Sequence, residues 1–403
     1  MDNNRLRRSI GLPLLTFYGL GTILGAGVYV LIGEVVALAG LQAPSAFLLA
    51  AVLAGITAFS FAELGSRIPK SAGEAAYTLA AFHQPWLSAT VGWAVVAVGT
   101  VSAATMVRGF VGYFDVLVEL PTALVIVACV VLLTAIAIWG IGESLLIAAA
   151  ITLLEIAGLL FVCTIAGDSF GRFAADWQSV VPGFDSVRIV GVVSGAFIAF
   201  YAFIGFEDIV NVAEEVKRPE RNLPRAIVLS LIASTVLYIL IAIVAVFSIP
   251  TDALAGSDAP LAIIVESRGF SPGLIATISL FAVINGALVQ IIMASRVLYG
   301  LASDGLAFAP FAHVNRTTRT PIVGTLAVAG LLLLLGLFFS VGELARVTSF
   351  ISLSIFAVIN ISLWRLKQIA PSNPEFSVPT AVPVVGAILC VAMIGHEGYR
   401  YLL

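Results

Sequence analysis

Four glycines fall within nine positions in the stretch Gly19-Leu20-Gly21-Thr22-Ile23-Leu24-Gly25-Ala26-Gly27, inside an apolar run long enough to cross a bilayer. A glycine in a helix interior costs roughly 0.5–1 kcal/mol relative to alanine, so this span weakens itself near its own middle. Gly25, Ala26 and Gly27 let the backbone leave the helix and approach a ligand with no side chain in the way. Unwinding there frees N–H groups at the start of the following half-helix; they carry partial positive charge and suit a carboxylate. The carbonyls before the break are freed too, and suit an ammonium group. A second stretch, "GAFIAFYAFIGFEDIVNVAEEV", repeats the pattern: Gly205 is followed by Glu207 and Asp208 inside what hydropathy reads as a helix. Carbonyls around Tyr201 to Ile204 are then free to meet the same ammonium. Irregular backbone at membrane depth is tolerable only where it lines a cavity. A carboxylate site beside a carbonyl site describes an amino-acid binding site. The competing reading is close packing of small residues between helices, and the acidic break in the second stretch weighs against it.

Glu155 is a third chemical candidate. It stands mid-span in "ITLLEIAGLL" with no basic residue nearby in sequence. An ionisable group inside a membrane segment is functional by default. An apolar site favours its neutral form, so it could bind and release a proton during a cycle. Deprotonated, it could help hold sodium, since hard cations take oxygen ligands; the proton is the favoured ion. A structural, permanently protonated glutamate is the alternative. For Glu207 and Asp208, capping of the restarted helix stands beside a role at the site.

These residues need a membrane scaffold, and the composition supplies one. Of 403 residues, 60% are hydrophobic and 11% charged, with a mean hydropathy of +1.10. A soluble domain is about 25% charged, so the chain reads as a polytopic membrane protein. Eleven apolar runs approach the roughly 20 residues a span needs: 12–36, 46–66, 85–109, 121–139, 145–167, 189–214, 225–249, 272–302, 321–340, 344–366 and 382–401. Strand alternation is absent, which predicts helices and excludes a barrel. With the N-terminus inside, 14 Lys and Arg fall on the cytoplasmic side and 6 outside, so the positive-inside rule places the N-terminus in the cytoplasm. The broken spans open runs one to five and six to ten. Such paired interruptions point to an inverted repeat, and an odd number of spans per half turns the second half over. The expected organisation is a cytoplasmic tail over 1–11, a first five-helix repeat over 12–167, a second over 189–366, and an additional helix over 382–403.

Other features carry less. The loop "EEVKRPERNLPRA" reads as a solvated ion-pair network, or as a latch on an inner gate, and Glu63 with Arg67 and Lys70 reads similarly. Asn285, Gln290 and Asn360 are candidates for hydrogen bonds between helices, with Asn285 placed near the substrate. His83, His313 and His396 lack zinc spacing, the three cysteines read as packing residues, and "GEVVALAG" lacks the lysine and hydroxyl of a phosphate-binding loop. No metal, no cofactor and no nucleic acid is expected.

The motifs "GLGTILGAGVYVLIG", "FAELGSRIPKSAGEAAY", "FIGFEDIVNVAEEVKRPERNLPRAI" and "ASDGLAFAPFAHVNRTTRTP" resemble those of the amino acid–polyamine–organocation superfamily of permeases, over most of residues 12–366. The resemblance implies an all-α membrane protein with a five-plus-five inverted repeat of the leucine-transporter type. It implies that the substrate carboxylate meets backbone at Ala26 and Gly27, beside Gly25. The amine would meet carbonyls of Ile23, Tyr201 and Ile204, next to Gly205, and the Tyr201 ring would close over the substrate from outside. Two departures stand out: many members have twelve or more spans, and some proton-coupled members carry a lysine where Glu155 aligns. The expectation is a secondary-active permease for neutral amino acids in a bacterial cytoplasmic membrane, driven by protons or by exchange. A permease for cationic amino acids or polyamines, and a non-transporting amino-acid sensor on the same scaffold, are the alternatives.

Overall fold

The computed structural model describes residues 8–25, 27–69, 73–140, 145–370 and 374–402. Ala26 and Lys70 lie outside the described residues. The first apolar run splits into α1 (Leu12–Leu24) and α2 (Gly27–Ala39), and α3 (Ala43–Arg67) follows after a single 3₁₀ turn. Then come the short α4 (Gly73–Phe82), the long α5 (Pro85–Asp115), α6 (Thr122–Trp139), α7 (Leu145–Ile165) and the loop helix α8 (Asp168–Ala175). The second broken run is α9 (Ser186–Ala199), a 3₁₀ turn over Phe200–Phe203, and α10 (Asp208–Asn211). The chain continues through α11 (Pro219–Ser248), the short α12 (Thr251–Ala255) and α13 (Pro260–Ser267), then α14 (Gly273–Ser303), α15 (Ile322–Phe338), α16 (Val341–Ile369) and α17 (Ala381–Leu402).

Local chemistry sets many of the starts. Proline stands in the first turn of α1, α3, α5 and α11, where its missing N–H costs nothing. Asp185 caps α9, and Ser340 with Glu343 forms a capping box on α16. Among the described residues, nine stretches are long and apolar enough to cross a membrane, against eleven expected. The difference has two sources: α1 to α3 run on as one apolar stretch, Leu12–Arg67, and α15 at 17 residues is short. Among the described residues there is no strand, only an isolated bridge between Ile10 and Val216.

The helices that carry the breaks lie inside. α1 packs against α11, α7, the 3₁₀ turn and α10, while α5 lies along α14 and α3 along α11. The segment before α1 is stitched to the loop after α10: the amides of Ser9 and Ile10 donate to the Glu215 carbonyl at 2.9 and 3.0 Å, and Lys217 N–H returns to the Ile10 carbonyl at 2.9 Å.

Polar nodes bind the outer helices. Asn360 on α16 accepts from Ser60 at 2.7 Å and donates to Thr57 at 3.1 Å, joining α3 as the sequence suggested. Glu63 departs from expectation. It is not solvated but fully buried, pairs with Arg67 at 2.6 Å and Lys367 at 2.8 Å, and accepts the Val378 amide at 2.8 Å. Its partners come from three parts of the chain, which hydropathy cannot bring together. The loop "EEVKRPERNLPRA" is likewise not self-contained, since Arg221 pairs with Glu375. In α8, the Arg172 guanidinium, then Arg268, holds the Asp168 carboxyl below the usual carboxylate range, so this clamp persists at neutral pH and weakens only on strong acidification.

Candidate functional site

Both breaks form where glycine makes them possible. α1 ends at Leu24; Gly25 turns away with φ 18° and ψ −123°, its N–H still reaching the Gly21 carbonyl at 3.2 Å. α2 restarts at Gly27, and its first four N–H groups have no partner within the helix. In the second run the 3₁₀ turn ends at Ile204, which is extended and donates to the Tyr201 carbonyl at 3.1 Å. Gly205 follows with φ +125°, a conformation nearly reserved for glycine.

The two breaks face each other. The Thr22 hydroxyl lies 2.9 Å from the Gly205 carbonyl and 3.0 Å from that of Gly19. A Cβ on Gly205 would press on the Thr22 carbonyl and stand 3.0 Å from the Ile23 nitrogen. Tyr238 on α11 fastens the pair from behind, its hydroxyl 2.7 Å from the Ile23 carbonyl and 2.9 Å from the Ala202 carbonyl. A Cβ on Gly27 would come within 2.8 Å of that hydroxyl and 3.0 Å of Ala202. So Ile23 and Gly27 meet Ala202 and Gly205, while Gly25 abuts Met106 on α5 and Gly286 on α14, and Ala26 lies outside the described residues. The Tyr201 ring is buried and its hydroxyl is held by Ser102 on α5, 2.9 Å away.

Glu207 does not cap the restarted helix. Its carboxylate reaches back to accept the Gly205 N–H at 2.9 Å, and α10 has no side-chain cap. At four residues α10 is short, and the strained N–H ahead of it is the donor that needs a partner more. Asp208 contacts Asn211 at 3.4 Å through one oxygen, while its other oxygen has no partner among the described residues. Glu155 is fully buried on α7, and neither carboxylate oxygen has a partner among the described residues. Its own carbonyl accepts the Tyr29 hydroxyl of α2 at 2.7 Å. It therefore stands behind the first break, one side chain away from it.

Two small cavities flank the breaks. One, of about 10 Å³, touches Thr22, Met106, Asn285 and Gln290; the other, of about 20 Å³, touches Ile204, Glu207, Glu74 and Ser352; Asp208 and Gln290 line both. Each has room for about a single water, so the site is closed in this conformation. The second cavity gathers three buried carboxylates, and among the described residues Gln290 Oε1 and Ser352 Oγ beside them have no hydrogen-bond partner.

Glu74 and Tyr238 are the residues sequence reasoning missed. Glu74 lies in a quoted motif, and the signal available was an acid between two short apolar segments; Tyr238 sits in an unremarkable apolar run and gave none. Burial, helped by the Asp208 charge, pushes the Glu74 carboxyl up to about 7. A raised acid pKa means that the folded state keeps a proton which the unfolded state releases. Stability is then full in acid and falls as pH rises through about 7, by on the order of 3 kcal/mol. Glu74→Gln should flatten the fall in thermal inactivation midpoint between pH 5 and pH 8. A variant with the parent's slope would assign that titration to another group.

Against known proteins, residues 10–396 match the family described as amino acid permease. The chain is 30% identical, over 94% of its length, to the protein named cationic amino acid transporter 3, mitochondrial, of Arabidopsis thaliana, and covers 65% of that relative. It is 28% identical, over 98% of its length, to the branched-chain amino acid permease BcaP of Bacillus subtilis, and covers 89% of it. With human cationic amino acid transporter 4 the identity is 28% over 92% of this chain and 62% of the relative. The chain thus spans less than two thirds of the length of the cationic relatives and most of the bacterial one.

Proposed function

Because the chain belongs to the amino acid permease family, a group of multi-pass membrane proteins, we propose that it is a secondary-active permease that moves amino acids by alternating access around the two facing helix breaks. The observation that carries this reading is the meeting of Thr22, Ile23 and Gly27 at the first break with Ala202 and Gly205 at the second, held by the Thr22 and Tyr238 hydroxyls. The N–H groups at the start of α2 would take the substrate carboxylate, through Ala26 and Gly27. The carbonyls of Ile23, Tyr201 and Ile204 would take its amine. Tyr201 would act as the outer gate, swinging from Ser102 as the site opens. A closed site with room for about one water fits one stage of such a cycle.

The architecture proposed with it is five plus five. Leu12–Arg67 counts as two crossings and α15 as one more, which makes eleven; residues 12–167 and 189–366 form the inverted halves, and 382–403 is added. The N-terminus faces the cytoplasm by the Lys and Arg distribution, and the membrane is the bacterial cytoplasmic one. Protons acting through Glu155 and Glu207, or exchange, supply the drive, with sodium the less favoured ion.

Neutral amino acids are the proposed substrates, since among the described residues no Lys or Arg lines either cavity to hold an acidic side chain. Cationic substrates are the second reading. Glu74, Glu207 and Asp208 beside one cavity favour it, as do the printed names of several relatives. The test is thermal stabilisation of the purified chain by each of the twenty amino acids and by polyamines. Small neutral amino acids should raise the midpoint. Stabilisation by lysine and arginine alone, lost in Asp208→Asn, would establish the second reading. No shift with any of them would reject both.

A further inference from the structure

A large opening lies away from the breaks, on the outward side of α3 and α11. It has two connected parts that share Phe59 and Val228. The deeper part, about 290 Å³, is apolar. Ala51, Gly55 and Ala58 keep its floor low, and larger side chains such as Leu48 and Ile232 rise at its sides. The mouth, about 780 Å³, is charged, with Glu220, Arg221, Arg225 and Glu375 around it. Phe376 stacks on Phe59 at 6.4 Å and 13°, folding the segment before α17 over the mouth.

The length suits one leaflet. From Arg225 to Val236 α11 rises eleven residues, about 17 Å at 1.5 Å per residue. Half of a roughly 30 Å hydrocarbon core is about 15 Å. A chain lying in this groove would therefore start at the headgroup level and end near the bilayer midplane.

The charges at the mouth do not all remain available. Arg221 and Glu375 form an ion pair with each other. Arg225 and Glu220 have no ion-pair partner among the described residues, although both are on the wall of the opening. Among the described residues this leaves a cation and an anion outside any ion pair, about a turn and a half apart on the same helix end. That arrangement matches a headgroup which itself carries a phosphate and an ammonium. A guanidinium binds phosphate through paired N–H donors. A carboxylate binds a primary ammonium by hydrogen bonds that a quaternary one cannot donate.

We propose that this groove is a binding site for one phospholipid with an ethanolamine headgroup, its phosphate on Arg225, its ammonium on Glu220 and an acyl chain along Ala51, Gly55 and Ala58. A site of this kind ties the start of α11 to the segment over the mouth. It requires only that the chain lies in a bilayer, and it stands or falls independently of transport.

The experiment is native mass spectrometry of the purified full-length chain in detergent, with ethanolamine, choline and glycerol phospholipids of identical acyl chains competing in equal amounts. Size exclusion confirms that each variant folds. The parent should retain the ethanolamine lipid about tenfold over the choline lipid, the difference of one charge-assisted hydrogen bond. Glu220→Gln should remove that preference and keep phospholipid bound. Arg225→Gln should weaken retention of all three, and Gly55→Leu should do the same by filling the groove. Equal retention of the ethanolamine and choline lipids by the parent would overturn the assignment, as would preference for the glycerol lipid. A dimer in which the groove is covered by a second copy, separated by Gly55→Leu, would also overturn it.

Discussion

Gly205→Ala is expected to abolish amino-acid uptake while leaving the chain folded and inserted. Gly205 sits at φ +125°, where a residue with a Cβ is strained by on the order of 1–3 kcal/mol. The added methyl meets backbone and not a flexible side chain: the Thr22 carbonyl, and the Ile23 nitrogen at 3.0 Å. Neither can step aside without moving the end of α1. The two breaks must separate, and the Thr22 hydroxyl loses its hold on the Gly205 carbonyl. A cost of that size depopulates the arrangement about 10- to 100-fold, and any carbonyl cluster for an amine is lost with it. Thr22→Val is the graded control, since it removes only the hydroxyl contact and adds no clash; it should reduce uptake without ending it. Uptake is measured in proteoliposomes and normalised to inserted protein. Parent-like transport by Gly205→Ala would show that the facing breaks are a packing feature and not a substrate site.

Glu155→Gln should uncouple uptake from a proton gradient. The carboxylate is fully buried, neither oxygen has a partner among the described residues, and the carbonyl of the same residue accepts the Tyr29 hydroxyl of α2, the helix that restarts after the first break. A buried charge with no partner is costly, so in the proposed cycle proton binding and release at this position would change the forces on the first break. Glutamine imitates the protonated state permanently. The variant should bind substrate and exchange it, yet fail to accumulate it when a pH gradient is imposed. If Glu155→Gln accumulates substrate as the parent does, Glu155 is structural and coupling lies elsewhere. If the parent answers to a sodium gradient and not to protons, the proton assignment fails outright.

The broken spans were legible because their signals are local. Glycine's missing Cβ and an acid inside an apolar run are properties of single residues, and they located Gly25–Gly27 and Gly205–Asp208 without any contact being known. The same holds for the membrane class, set by composition, and for the burial of Glu155, set by its apolar neighbours. Span ends were less legible: hydropathy saw a gap where α3 follows α2 after one turn, and gave α15 more length than its helix has. Short helices such as α4 and α10 have too few residues to raise a periodic signal.

What the fold alone decided are the meetings between distant segments. Tyr238 stands 215 positions from Ile23 in the chain and yet lies 2.7 Å from its carbonyl. Glu63, expected in a solvated network, is buried because α16 brings Lys367 to it and the segment before α17 brings the Val378 amide. Glu207 reaches backward to the Gly205 N–H instead of capping the helix ahead, because strained backbone in a closed interior needs its partner first. Residue types and short spacings determined where this chain bends and which groups it leaves free. Only the packing of α1 against α7, α10 and α11 decided which of those groups face one another, because a hydrogen bond needs atoms about 3 Å apart and sequence neighbours say nothing about that distance.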